Sequence, residues 1–146
     1  MITVWVFGDQ LNRRIGTLAT ADPTSHRVLF VESTRKIASK AWHRQRLHFY
    51  LASMRRFARE LEAEGFQVDY RKAPTMSAGY RAHLAQHQPS EVVATEPNSF
   101  NARALLERLQ VRTVRSDQFL CHPDDFTSFA STRKSFKMED FYRWQR

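Results

Sequence analysis

The residues best suited to hold a small molecule follow the first apolar segment of the chain. Gly8, Asp9, Gln10 and Leu11 come directly after residues 2–7, which are almost entirely apolar. A glycine lets the backbone approach a ligand closely, while the adjacent carboxylate and carboxamide offer hydrogen-bond acceptors and donors. These four residues are therefore predicted to contribute to a cofactor-binding site.

Polar side chains follow other apolar segments as well. Glu32 and Ser33 come after residues 28–31 and are included in the predicted cofactor site, Glu32 as a polar anchor. Ser116 and Asp117 occupy the same kind of position after a later segment. Serine and aspartate often cap the helix that follows them. Capping is therefore the alternative interpretation for Ser33, Ser116 and Asp117.

The sequence contains no complete catalytic or metal site, so we predict no catalytic residue and no metal ligand. It lacks the glycine-rich fingerprint of dinucleotide-binding proteins, the P-loop and the serine elbow of hydrolases. His83 and His87 have no third ligand in an H-E-x-x-H pattern and are interpreted as surface residues. The single cysteine, Cys121, excludes an internal disulfide and is interpreted as a buried, inert thiol. The chain is predicted to be a binding domain.

Length and composition fit one globular domain with a hydrophobic core, since the chain has 146 residues of which 42% are hydrophobic. There is no run of about twenty apolar residues that could span a membrane, and no signal-peptide pattern. Together with the single cysteine, these features predict a location in the reducing cytoplasm. The formal net charge of +8 indicates either a polyanionic partner such as nucleic acid or simply a basic solvated surface.

Five short segments are predicted to be β-strands. Residues 2–7 and 28–31 are continuously apolar, as in parallel strands that are buried on both faces. The other three strands are predicted at residues 66–70, 92–94 and 111–114, and the alternating pattern of the last favours an edge position. Because parallel strands end at one edge of their sheet, the polar residues that follow them are expected to converge there.

Helical patterns separate the predicted strands. The clearest covers residues 42–64, where apolar residues recur at steps of three and four before Gly65. Shorter helices are predicted at residues 77–87 and 101–109, whereas residues 12–27 are predicted to form a long loop over the sheet. Strands that alternate with helices predict an α/β fold, a Rossmann-like doubly wound three-layer sandwich with a five-stranded parallel sheet.

The end of the chain is rich in aromatic residues. Residues 123–129 and 138–146 have helical patterns, and the second has no C-cap and no polar tail. An exposed aromatic patch normally marks an interface. We therefore expect a larger protein in which residues 1–146 form the first domain.

Several sequence motifs occur together along this chain. They are V-F-G-D-Q-L at residues 6–11, V-E-S at 31–33 and H-R-Q-R-L-x-F-x-L-x-S-M-R-R-F-A-x-E-L at 43–61. D-Q-F-L at 117–120, R-K-S at 133–135 and M-E-x-F-Y-R at 138–143 complete the set. In this combination the chain resembles the N-terminal domain of the deoxyribodipyrimidine photolyase-related proteins, which are the prokaryotic iron–sulfur photolyases and cryptochromes. The resemblance extends over essentially the whole chain.

The resemblance implies a Rossmann-like domain followed by a large helical domain that holds FAD, a 4Fe-4S cluster and the site for the DNA lesion. It also implies a light-harvesting pigment, 6,7-dimethyl-8-ribityllumazine, above the carboxyl edge of the sheet, where Gly8, Asp9 and Glu32 are expected. The chain departs from the family pattern at Lys36, where an acidic residue is expected, and at residues 99–101. An ammonium group can only donate hydrogen bonds.

Two functional hypotheses follow from the sequence. The first is a light-harvesting chromophore-binding domain of a photolyase/cryptochrome-like flavoprotein involved in light-dependent DNA repair or photoreception. Its partners would be a C-terminal helical domain and, through the full-length protein, DNA, with no membrane involved; any lyase reaction would belong to the full-length protein. The second hypothesis is a pigment-free structural or nucleic-acid-associated Rossmann-like module.

Overall fold

In a computed structural model that describes residues Met1–Arg146, five β-strands form one central sheet. In chain order they are β1 (Ile2–Trp5), β2 (His26–Ser33), β3 (Gln67–Ala73), β4 (Glu91–Thr95) and β5 (Arg112–Val114). Their order across the sheet is β3-β2-β1-β4-β5, and every neighbouring pair is parallel. The predicted α/β fold with a five-stranded parallel sheet is confirmed, and β5 lies at an edge as predicted.

The chain also contains six α-helices and one 3-10 helix, of which the last two α-helices follow the last strand. They are the 3-10 helix Gly16–Thr20, α1 (Thr34–Ala38), α2 (Arg44–Ala63), α3 (Met76–His87), α4 (Phe100–Arg108), α5 (Pro123–Ser131) and α6 (Met138–Gln145). The interpretation of residues 12–27 as a loop was partly wrong, because this segment contains the 3-10 helix and the first residues of β2. Helix α1 was not predicted at all.

The two faces of the sheet pack into two separate hydrophobic cores, which gives the predicted three-layer arrangement. One core joins one face of β1 and β2 to α2 through Val4, Val6, Val28, Phe30, Met54, Phe57, Ala58 and Leu61. The other joins the opposite face to α3 and α4 through Trp5, Phe7, Leu29, Val31, Tyr80 and Leu106. Adjacent residues of β1 and β2 thus enter different cores, which explains why both strands are apolar without alternation.

Residues Ser116–Arg146 form a second compact unit, separate from the unit Met1–Arg115 that contains the sheet. Within it, the buried rings of Phe129 on α5 and Phe141 on α6 pack edge to face, with centroids 5.1 Å apart. Helix α5 begins with Pro123 and a capping box made by His122 and Asp125. The two helices predicted near the end of the chain are confirmed.

None of the helices combines the length and the apolar composition needed to cross a membrane.

Candidate functional site

The carboxyl edge of the sheet contains a cavity of about 280 Å³. Its wall is built from the segments that follow β1 and β4, from the last residues of β2, from α1 and the N-terminal half of α2, and from the first residues of α3 and α4. Four of the six residues predicted to bind a cofactor line this cavity, namely Gly8, Asp9, Glu32 and Ser33. The sheet therefore brings the ends of two neighbouring strands to one concave site, as expected for an open α/β sheet.

The other two predicted residues, Gln10 and Leu11, do not line the cavity. Gln10 is buried, and its side-chain amide donates hydrogen bonds to the carbonyl oxygens of Thr95 (3.2 Å) and Glu96 (3.0 Å). Leu11 packs against the core beneath α2. Gln10 attaches the loop after β1 to the end of β4, and Leu11 packs against the core. Their contacts therefore support the loop that carries Gly8 and Asp9, without lining the cavity.

Gly8 provides a close approach, and the group that approaches it is helix α2. A β-carbon at position 8 would lie 2.7 Å from the sulfur of Met54 and closer still to the hydroxyl of Tyr50. Atoms that are not bonded to each other do not come this close, so a larger residue at position 8 would displace the side chains of Tyr50 and Met54. Because Tyr50 and Met54 also line the cavity, glycine at position 8 sets the shape of its wall.

Asp9 and Tyr50 place an acceptor and a donor in the same wall. The Asp9 carboxylate accepts a hydrogen bond from the side-chain amide of Asn98 at 3.3 Å. Burial, and to a lesser degree the nearby Asp9 carboxylate, raise the pKa of the Tyr50 hydroxyl. Tyr50, which lines the cavity, therefore keeps the proton of its hydroxyl and remains a hydrogen-bond donor.

Glu32 is only 6% exposed, and its carboxylate is held from two sides. Arg55 on α2 donates to both carboxylate oxygens, at 2.7 Å and 3.0 Å from Nη2, and the Tyr70 hydroxyl on β3 donates at 2.8 Å. The negative charge of Glu32 is thus compensated within the protein. This arrangement ties α2 to β2 and β3 at Glu32, which itself lines the cavity.

Ser33 acts as a helix cap, which was its alternative interpretation. Its hydroxyl oxygen accepts a hydrogen bond from the Lys36 amide at 3.2 Å, the start of α1, and donates to the Pro74 carbonyl. Ser116 and Asp117 do not cap a helix; the Ser116 hydroxyl accepts from the amide of Gln118 in an irregular segment.

The sequence analysis missed the part of the wall contributed by α1 and α2. The buried residues of α2 are Met54, Phe57, Ala58 and Leu61, which all lie in its C-terminal half. The N-terminal part of its apolar stripe faces the cavity through Leu47, Tyr50 and Leu51, beside Trp42 and the cations Lys36 and Arg46. The spacing of apolar residues shows which of them share one face of a helix. It does not show how far along the helix the sheet covers that face.

The prediction that His83 is a surface residue was wrong. His83 is fully buried, with its Nε2 2.8 Å from the Thr3 hydroxyl on β1 and its Nδ1 2.6 Å from an Asp69 carboxylate oxygen on β3. Cys121 also differs from expectation, since it is only half-buried. The buried histidine was missed because its partners come from strands that are distant in sequence.

Two comparisons with known proteins match almost the whole chain. The family model described as deoxyribodipyrimidine photo-lyase-related protein matches residues 4–146. The (6-4) photolyase of Agrobacterium fabrum (strain C58 / ATCC 33970) is 30% identical over 156 aligned residues, which include 98% of this chain. The chain spans 31% of the length of that relative.

Proposed function

Because this chain belongs to the deoxyribodipyrimidine photolyase-related protein family, we propose that it is the N-terminal light-harvesting domain of a photolyase/cryptochrome-like flavoprotein. In this proposal the cavity at the carboxyl edge of the sheet binds a small pigment, 6,7-dimethyl-8-ribityllumazine. The observation that carries the proposal is the convergence of Gly8, Asp9, Glu32 and Ser33 on one cavity.

The volume and lining of the cavity support a small, two-ring pigment. The volume of about 280 Å³ lies just below the range of roughly 300–1,000 Å³ that is usual for small-molecule sites. Aromatic and aliphatic side chains, including Phe7, Trp42 and Leu51, offer surface to a flat ring. The Asp9 carboxylate and the Tyr50 hydroxyl supply an acceptor and a donor among these apolar groups. The donor set therefore fits a ring system that carries both polar edges and apolar faces.

We assign a separate task to each part of the wall. Asp9 and Tyr50 would orient the pigment by hydrogen bonds, and Trp42 would exclude water from one side. Glu32, held by Arg55 and Tyr70, would keep α2 at a fixed distance from the sheet. When bound, the pigment would supply light absorption and pass its excitation to a flavin. A binding site of this kind needs a rigid wall but no catalytic side chain.

The rest of the proposed protein would be a C-terminal helical domain that holds FAD and a 4Fe-4S cluster and, in the full-length protein, contacts DNA. Two observations support a further domain. The chain spans only 31% of the related (6-4) photolyase. The second unit also exposes large apolar side chains, namely Phe119, Leu120, Phe136, Met138, Tyr142 and Trp144, as protein-binding surfaces do. The name of the relative favours light-dependent DNA repair over photoreception as the role of the full-length protein.

The proposal is tested by titrating the purified chain with 6,7-dimethyl-8-ribityllumazine while recording pigment fluorescence and the melting temperature. We expect saturable quenching and a rise in the melting temperature. The Asp9→Asn variant should weaken binding, because it replaces a charged acceptor by a neutral amide of similar size. Glu107→Gln is the matched control, since Glu107 is exposed on α4 and lies outside the cavity.

The pigment-free module is the competing outcome of the same titration. If the pigment gives no saturable signal, or if Asp9→Asn binds it as tightly as the wild type, the light-harvesting proposal is wrong. A chain with a charge of +8 that instead binds DNA, with an affinity that falls steeply as salt is added, would support the nucleic-acid-associated alternative.

A further inference from the structure

Three potential metal ligands meet at a second place in the fold, away from the residues that line the cavity. They are Asp69 on β3 and His83 and His87 on α3, and their ligand atoms all lie within 4.8 Å of one another. We propose that these three side chains form a binding site for a divalent transition-metal ion such as Zn²⁺. Two imidazoles and one carboxylate are a donor set that suits zinc and leaves a fourth position for water.

The secondary structure holds the three ligands on rigid elements. His83 and His87 are one turn apart on α3, so they lie on the same face of the helix, with ring centroids 4.9 Å apart. Asp69 reaches this pair from the neighbouring strand, and its Oδ2 atom is 2.6 Å from His83 Nδ1 and 3.2 Å from His87 Nε2. No loop has to close to bring the ligands together.

Two of the three separations are near those of a tetrahedral site, and the third, between the two imidazole nitrogens, lies within 4.8 Å. Metal–ligand distances of about 2.0–2.2 Å place neighbouring ligand atoms about 3.3 Å apart. The distance between Asp69 and His87 is 3.2 Å, so that pair needs almost no adjustment. The 2.6 Å contact between Asp69 and His83 has to widen by less than an ångström, which a small rotation of the exposed end of the carboxylate provides.

Groups behind the ligands hold His83 and Asp69 in position. The Thr3 hydroxyl lies 2.8 Å from His83 Nε2. When that nitrogen donates its proton to Thr3, the lone pair of the ring is on Nδ1, which faces Asp69. An outer hydrogen bond that fixes the tautomer and ring orientation in this way is typical of metal-binding histidines.

Arg71 orients the carboxylate and also limits the affinity. Its Nε donates to Asp69 Oδ2 at 2.6 Å, and both histidines contact the same oxygen. Oδ2 is therefore the atom that would bind the ion, and the hydrogen bond from Arg71 competes with the ion for it. The positive guanidinium opposes a second cation nearby, so we expect a weaker site than a structural zinc centre, one that exchanges its ion.

The site is accessible from one side. The side chains of Asp69 and His87 are 15% and 19% exposed, whereas His83 is fully enclosed. An ion would enter past His87 and meet the buried nitrogen of His83 last. His87 is thus the ligand that can be replaced with the least disturbance of the core.

The test uses the 146-residue chain after treatment with a chelator that is then removed. Zn²⁺ is titrated by calorimetry, and Co²⁺ is added in parallel to read the coordination geometry from its visible absorption. We expect one ion per chain, an increase in melting temperature with Zn²⁺, and the absorption bands of cobalt bound to nitrogen and oxygen in a site of low coordination number.

Two variants and one control decide the outcome. His87→Ala and Asp69→Asn should each lower the Zn²⁺ affinity by at least about tenfold, as losses around zinc sites commonly do. His48→Ala should bind like the wild type, because His48 is an exposed histidine on α2. Should either variant fail to fold by circular dichroism, the other still gives the answer. Wild-type chain that takes up no ion, or variants that bind as tightly as His48→Ala, would show that the cluster is only a structural ion pair.

Discussion

At the scale of single residues, Glu32 lines the cavity, but its contacts mainly hold secondary-structure elements together. Its carboxylate is nearly enclosed and accepts hydrogen bonds from Arg55 and Tyr70, which belong to α2 and β3. The carboxylate has to be charged because it compensates the positive charge of the Arg55 guanidinium, which reaches Glu32 from α2. Charge-assisted hydrogen bonds of this kind are stronger than those between neutral groups.

We therefore expect Glu32→Gln to destabilise the fold by about 1–3 kcal/mol, the usual contribution of a hydrogen bond to a charged group. Urea denaturation followed by circular dichroism measures this change in the free energy of unfolding. Glu62→Gln, which changes an exposed residue on α2, is the control and should have almost no effect. Equal stability of the two variants would mean that Arg55 and Tyr70 are satisfied equally well by solvent.

The contacts of Glu32 also predict how stability depends on pH. Burial alone would raise the pKa of the Glu32 carboxyl, but the hydrogen bonds from Arg55 and Tyr70 outweigh burial and lower the pKa below its ordinary value of 4.5. A group whose pKa is lowered by folding stabilises the protein above its unfolded pKa. That contribution is lost as the pH falls through the folded pKa.

We expect the difference in unfolding free energy between the wild type and Glu32→Gln to be full at neutral pH. It should shrink as the pH falls below 4.5, the ordinary value for this group. Urea titrations of both proteins at several pH values between about 7 and 3 provide the measurement. A difference that stays constant over this range would contradict the lowered pKa.

At the scale of secondary-structure elements, the sequence predicted the elements that rest on long or uniform patterns. The apolar segments of β1 and β2 and the three-and-four spacing of α2 are repeated signals, and the structure confirms all three elements. Helix α1 has only five residues and no buried side chain, so it has no apolar stripe that could have indicated it. Its formation depends on the Ser33 cap and on the neighbouring chain.

The prediction of the cavity was limited in the same way. That Gly8, Asp9, Glu32 and Ser33 would come together follows from the topology of a parallel sheet, which the apolar segments indicated. The contributions of Trp42, Lys36 and Arg46 depend on how α1 turns into α2, which no local pattern records. The contact between Asp69 and His83 depends on how α3 packs against β3, and this tertiary packing leaves no local pattern in the sequence.

The 3-10 helix gives a prediction that belongs to this scale. Gly16 begins it with a left-handed φ of +49°, and a β-carbon there would lie 2.8 Å from Thr95 Cβ and closer to the branches of that side chain. Thr17 continues the contact, with its amide donating to the Thr95 hydroxyl at 3.0 Å. The segment between β1 and β2 is thus fixed to the end of β4.

We expect Gly16→Ala to destabilise the protein by about 2–4 kcal/mol, from backbone strain and the clash with Thr95 together. Gly65→Ala is the matched control, because Gly65 also has a positive φ but a β-carbon there would meet only Pro23 Cβ, at an ordinary contact distance of 3.7 Å; it should cost only about 1–2 kcal/mol. Thermal and urea denaturation of both variants measures the two losses of stability, so that they can be compared. If the two substitutions cost the same, the contact with Thr95 does not contribute to stability.

At the scale of the whole molecule, the two hydrophobic cores lie entirely within the first compact unit. Every buried residue of both cores precedes residue 112, whereas the unit Ser116–Arg146 has its own cluster around Phe129 and Phe141. A unit that contains its complete core has the means to fold alone. The second unit, with only two buried aromatic side chains in its helices, has much less apolar surface to bury.

A fragment of residues 1–115 is therefore expected to fold cooperatively, with the helical and strand signals of the parent protein in circular dichroism. A fragment of residues 1–90, which lacks β4 and β5, is the comparison and should not fold, because β1 then loses one of its two partner strands. Urea denaturation of the longer fragment should give a single sigmoidal transition. A broad, non-cooperative transition would mean that the second unit is required for the first to be stable.

The position of β1 at the centre of the sheet has a consequence for how a cell makes this protein. The ribosome releases β1 first, and β2 follows soon after, but the partner on its other side, β4, ends at Thr95. Until β4 has been translated, a nascent chain therefore carries an apolar strand with one open edge, the kind of surface that drives aggregation. We therefore expect a chaperone to associate with the nascent chain early. This association should end once β4 has emerged from the exit tunnel and can pair with β1.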